Sequence, residues 1–297
     1  MSDRNPVTLA MMPVLAIGMA SRGKDSWGVT NGIETHKEAQ SILDGYVDLE
    51  LPGPQTFHTR GASVGAVTDE NAHPFEYTAP SGLRVVGVHN GHVSNHESLN
   101  TKYHRGFQVD SQHIFAHIAE RRDLGEVGGW GTIVWWEHHP GEAAPRGPYF
   151  SGWNNINLAV CKLSSGDVVW ASTKAPIEVG ARFAGVEITK TYAVEPKKKY
   201  LLSRLPAGDW GLLALKGVLA WADRPFMLEV PAKSAAAPSG SGHHSLVCTN
   251  CRCYRRMALS RDVICATCLW EVKMKLGVSC EPEGPVTDHY PDLEGAY

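Results

Sequence analysis

Two pairs of cysteines, Cys248-Thr249-Asn250-Cys251 and Cys265-Ala266-Thr267-Cys268, stand thirteen residues apart, the spacing of a zinc ribbon. Four thiolates around one zinc ion make a closed tetrahedral centre with no position left for water or substrate, so the chemistry is structural. A module of about 35 residues buries too little apolar surface to fold alone, and the metal supplies the missing stability. Cys253 and Cys280 are left over as free thiols or an alternative ligand. Arg252, Arg255, Arg256 and Arg261 make the module locally basic, as in ribbons that contact nucleic acid or protein, and equally as on a solvated face. A second set of metal-type side chains lies upstream: His89, His92 and His96, with His113 and His117 four apart. These could form a metal site, or His113 and His117 could line a solvated helix face.

Four blocks in the first 120 residues carry a different chemistry: Arg22-Gly23-Lys24-Asp25-Ser26-Trp27-Gly28, His58-Thr59-Arg60-Gly61, Asn71-Ala72-His73-Pro74 and Val88-His89-Asn90-Gly91 through Asn95-His96. Their order and spacing resemble the class II glutamine amidotransferase domain. The match covers residues 7–120 and continues more loosely over 155–203. The resemblance implies an α+β fold of the N-terminal-nucleophile hydrolase type, a four-layer αββα sandwich with two antiparallel sheets between helix layers. By the same resemblance, Arg60 pairs with the α-carboxylate of glutamine and Asp110 holds its α-ammonium. Asn90 and the Gly91 N–H form the oxyanion hole, and Arg22 and Asp25 support the nucleophile strand at the substrate site. Taken singly, Asn90-Gly91 is also hairpin-turn chemistry and Asp110 also a cap for a helix starting at Ser111.

In the resembling family the first residue of the mature chain is a cysteine that attacks the amide. This sequence begins Met1-Ser2-Asp3-Arg4-Asn5, with no cysteine before Cys161. Ser2, exposed by removal of Met1, is the available hydroxyl, and a hydroxyl is far less nucleophilic than a thiol. The expectation is a catalytically degenerate amidotransferase-like protein serving as a binding or structural component with a protein partner. The alternative is an active subunit that uses Ser2 or a partner chain and supplies ammonia to a separate synthetase. The domain also resembles stand-alone bacteriophage versions, which implies a host-cytoplasm or virion setting.

The elements that must position these residues are partly readable. Residues 83–89 read as a buried strand, and 156–162 with 167–172 as a hairpin around the turn 164–166. Helical periodicity covers 112–121 and 175–183. The apolar stretch 6–20 reads as a core helix with a stripe of Leu9, Met12, Ala16 and Met19, rather than as a secretion signal. After about residue 231 the chain turns to Ala, Ser, Gly and Pro. The expected organisation is a 1–231 domain, a 232–245 linker, a 246–281 ribbon and an acidic 282–297 tail. Lys plus Arg number 28 against 31 Asp plus Glu, a net charge of −3, which excludes a general attraction to nucleic acid or anionic membrane. No apolar run reaches membrane-spanning length, and six of seven cysteines fall between 248 and 280, which together point to a soluble cytoplasmic protein.

Overall fold

The structure, a computed structural model, describes residues 6–45, 51–153, 157–205 and 208–218. Ser2, the linker, the ribbon with Cys248, Cys251, Cys265 and Cys268, and the acidic tail lie outside the described residues.

Helix α1 (Pro6–Met19) leads into strands β1 (Ser26–Thr30) and β2 (Thr35–Glu38), a short helix α2 (Ile42–Gly45), and strand β3 (Thr56–Arg60). Strands β4 (Phe75–Thr78) and β5 (Arg84–Val93) precede helices α3 (His96–Tyr103) and α4 (Gln112–Ala119). Four strands follow, β6 (Gly129–His138), β7 (Arg146–Gly152), β8 (Ala159–Leu163) and β9 (Val168–Ala171). Helix α5 (Lys174–Phe183) and strands β10 (Ile188–Tyr192), β11 (Lys198–Arg204) and β12 (Trp210–Val218) complete the order. The strands make a six-stranded sheet in the order β12-β11-β7-β6-β5-β4 and two three-stranded sheets, β2-β1-β3 and β10-β8-β9.

Side-chain alternation sets the two faces of the large sheet. On β6, Ile133 and Trp135 point into a core shared with Phe115 and Ile118 of α4 and Leu99 of α3. Val134 and Trp136 point the other way, into a core shared with Val160 of β8 and Val168 of β9. The β2-β1-β3 sheet meets the same face, where His58 on β3 hydrogen-bonds the His89 carbonyl on β5. Helix α1 packs on α5 and on β3, burying Met11 among Cys161 and Ile177, and Ala16 against Trp27 and Val29. Among the described side chains of α1, Met11, Pro13, Val14 and Ala16 are buried, a wider surface than the single stripe expected, because the helix is covered on two sides.

The helices expected at 112–121 and 175–183 form as α4 and α5, and the expected hairpin forms as β8 and β9. One local reading is corrected. Asn90 and Gly91 are not a turn: β5 runs on to Val93, and they pair there with Thr132 and Gly131 of β6. Among the described residues no helix is long and apolar enough to cross a membrane.

Candidate functional site

Arg60 is the last residue of β3, two positions beyond His58, so both side chains lie on one side of the strand. Antiparallel pairing of β3 with β1 places Arg60 opposite Ser26. Close approach of the next chain segment requires Gly28 on β1, where a Cβ would lie 2.1 Å from the His73 carbonyl oxygen. Beneath β3, β5 carries His89, Asn90 and Gly91, and Asp110 stands just before α4. Gly91 is equally constrained, since a Cβ would lie 2.1 Å from the Trp130 carbonyl oxygen.

Arg22, Arg60, Asn90, Gly91 and Asp110 all line one cavity of about 670 Å³. The Asn90 Nδ2 is buried with no hydrogen-bond partner among the described residues, and an unpaired buried amide N–H is costly unless a ligand or water accepts from it. Arg60 is 5% exposed, and its guanidinium donates to the Ala66 carbonyl at 3.4 Å and to the Val64 carbonyl. It thereby holds the loop that follows β3. Asp25 lies outside the cavity wall and supports that loop from behind, with its Oδ2 accepting the Ala62 N–H at 2.6 Å.

Asp110 is not a helix cap. Its Oδ2 accepts the Val93 N–H at 2.6 Å and lies 3.2 Å from His92 Nδ1, while Oδ1 accepts from Ser111 Oγ at 3.4 Å. Burial pushes the carboxyl pKa up, but the His92 contact, the nearby His89 and the Val93 N–H outweigh it and hold the group at about 2. The same contact raises the pKa of His92.

Sequence reasoning gave His58 and His73 no role at this corner and read His89 only as a candidate metal ligand. The rings of His58 and His73 meet at a tilt with centroids 4.0 Å apart, and both line the cavity with His89. His89 Nδ1 pairs with Ser111 Oγ at 2.9 Å. Burial pushes His58 down to about 3 and His89 down to about 4, and drives His73 well below its ordinary value, so all three are neutral at pH 7. The available signal was the two-residue spacing of His58 from Arg60, which places both on one strand face.

The upstream histidines do not converge on an ion. His89 and His92 serve Ser111 and Asp110, whereas His96, His113 and His117 stack edge to face on one another. The Arg105 guanidinium lies 3.5 Å from His113 Nδ1 and 3.4 Å from His117 Nδ1, a cation where a metal would have to sit. His113 and His117 are fully buried, so the solvated-face reading is corrected as well. Among the described residues no group of three or more metal-type side chains is placed to hold an ion.

No protein-family model matches the chain. It is 31% identical over 118 residues to the glutamine–fructose-6-phosphate aminotransferase of Methanosarcina mazei, which takes in 36% of this chain and 19% of that protein. The enzyme of the same name from Idiomarina loihiensis is 30% identical over 153 residues, or 40% of this chain and 23% of that protein. The Lactococcus lactis one is 35% identical over 119 residues, 35% of this chain and 19% of that protein. The chain thus spans about a fifth of the length of these curated relatives. Among solved structures, the allosteric regulatory enzyme of purine biosynthesis superposes with a TM-score of 0.50 at 15% identity, covering 70% of this chain and 47% of that one. Motif order, sheet architecture and these likenesses agree: the chain carries a class II glutamine amidotransferase-like domain with the N-terminal-nucleophile hydrolase fold.

Proposed function

We propose that the 1–231 domain is a four-layer αββα sandwich whose cavity binds glutamine or a similar small α-amino amide, and that it acts as a binding or structural component rather than as a working glutaminase. The observation that carries this reading is the meeting of Arg60, Asn90, Gly91 and Asp110, drawn from separate segments, on one cavity wall. A carboxylate and amide donors on that wall match the ammonium and carbonyl of such a ligand.

The degenerate half of the reading is supported by how these groups are engaged. Arg60 already holds the Val64 and Ala66 carbonyls, and Asp110 already holds Val93 N–H and His92. Among the described residues no cysteine lines the cavity, and Cys161 is buried in the core between β8, α1 and α5. Donors aimed at an amide oxygen polarise it, but hydrolysis in two easier steps needs a nucleophile. Zinc held by Cys248, Cys251, Cys265 and Cys268 and nucleic-acid contact through the ribbon arginines belong to the same proposal and rest on the sequence alone. A protein partner for assembly and a phage or virion setting belong to it too, and rest on the family resemblance.

The test is ammonia release from L-glutamine by the full chain, compared with Arg60→Ala and Ser2→Ala. Wild type indistinguishable from both variants is the expected result. Steady turnover that both substitutions abolish establishes the active-subunit reading with Ser2 as nucleophile, and turnover that appears only with a second chain establishes completion by a partner.

A further inference from the structure

Two sides of the cavity are joined from outside it by one buried side chain. Asn71, 4% exposed, donates from Nδ2 to the Ala66 carbonyl at 3.1 Å and to Gln108 Oε1 at 2.9 Å. Ala66 belongs to the loop that Arg60 holds, and Gln108 stands two residues ahead of Asp110. The two segments also touch directly, since a Cβ on Gly65 would lie 2.6 Å from the Gln108 carbonyl oxygen. Asn71 thus ties the Arg60 loop to the Asp110 segment, although its own side chain does not line the cavity.

Asn71 is in turn held by a cation. Lys37 of β2 donates from Nζ to the carbonyls of Glu70 at 3.0 Å, Ala72 at 3.3 Å and Pro74 at 3.5 Å. An ammonium carries three N–H donors, one for each of these oxygens. Residues 70 and 72 flank Asn71, and residues 72 and 74 flank His73, whose ring meets His58 in the cavity wall. Nζ also lies 5.7 Å from the centre of the Phe75 ring. Burial pushes the Lys37 pKa down, with Glu70, Glu76 and Asp69 opposing it, and a partly desolvated ammonium needs just such a set of acceptors.

We propose that Lys37 is a positioning residue for the α-amino amide pocket: it clamps residues 70–74, so that Asn71 sets the separation between the Arg60 loop and Asp110. The inference rests on the amide-binding reading for its ligand and adds a residue that no contact with the cavity marks. Charged donors make the stronger hydrogen bonds, so the clamp is the firmest tie between β2 and this segment. Other ties remain without it. Asp69 Oδ1 accepts the Ala39 N–H at 2.6 Å, and the His73 carbonyl packs on Gly28. Loss of the clamp therefore loosens the segment without unfolding the sheet.

The experiment is a double-mutant cycle on the full chain, with Lys37→Met, Asn71→Ala and the pair, read by calorimetric titration of L-glutamine. Methionine keeps an unbranched stem beside Phe75 and removes the donors. Lys37→Met is expected to weaken binding by about fivefold or more, and to cost nothing further once Asn71 is alanine. Hydrogen exchange of the Asn71 side-chain amide, followed by NMR without ligand, should be about tenfold faster in Lys37→Met than in wild type. Unchanged affinity, or additive losses in the cycle, overturns the positioning role, and so does unchanged exchange at Asn71. A wild type that binds no glutamine sinks the amide reading instead, and the Asn71 exchange then decides the clamp alone: faster exchange upholds it and unchanged exchange overturns it.

Discussion

His92 Nδ1 lies 3.2 Å from Asp110 Oδ2, so an imidazole occupies the carboxylate that the proposed function assigns to a ligand ammonium. The pair raises the pKa of His92, and the imidazolium competes best at low pH. Binding of L-glutamine should therefore tighten as pH rises, by up to about tenfold per pH unit until the His92 pKa is reached, and level off above it. His92→Asn should flatten that profile. Calorimetric titration across pH 5.5 to 8.5 checks it, and a pH-independent wild type contradicts it.

The buried rings of His58, His73 and His89 set a second pH dependence. Their folded pKa values lie below the ordinary 6.5, so the stability they support is complete above pH 6.5 and is lost as pH falls toward the folded values. Each ring contributes a slope of up to about 1.4 kcal/mol per pH unit in that window. His73 makes no hydrogen bond through either ring nitrogen among the described residues. His73→Phe keeps a ring against His58 and Phe75 and removes one titrating group. Urea melts between pH 7 and 4.5 should show a shallower acid loss for this variant than for wild type. Parallel curves contradict the assignment.

For the ribbon, purified full-length protein is expected to hold about one zinc per chain through Cys248, Cys251, Cys265 and Cys268. Chelation should release it and unfold residues 246–281 without lowering the melting temperature of the main domain. Metal analysis that finds no zinc contradicts the ribbon.

What was legible in the chain follows from how local each signal is. Helix α4 shows its period through Ile114, Phe115 and Ile118, and the β8-β9 hairpin through its Ser-Ser-Gly turn. Strand β6, which carries Trp135 and Trp136 to opposite cores, went unread because both of its faces are covered and no polar alternation marks it. Asn90-Gly91 reads locally as a turn, and only pairing with Thr132 and Gly131 shows that it lies within a strand. The resemblance singled out Arg60, Asn90, Gly91 and Asp110, which line one cavity, but not the engagement of Asp110 by His92. That contact joins β5 to the segment before α4 and has no sequence period.

Saturation-transfer NMR of L-glutamine with the full-length protein, repeated on a folded Asp110→Asn variant, tests the central claim of an α-amino amide pocket most directly. The account predicts saturable transfer to glutamine in wild type that falls by about tenfold or more in the variant, since the substitution removes the charge that pairs with the ammonium. Absence of transfer in wild type, or transfer unchanged by Asp110→Asn, contradicts it.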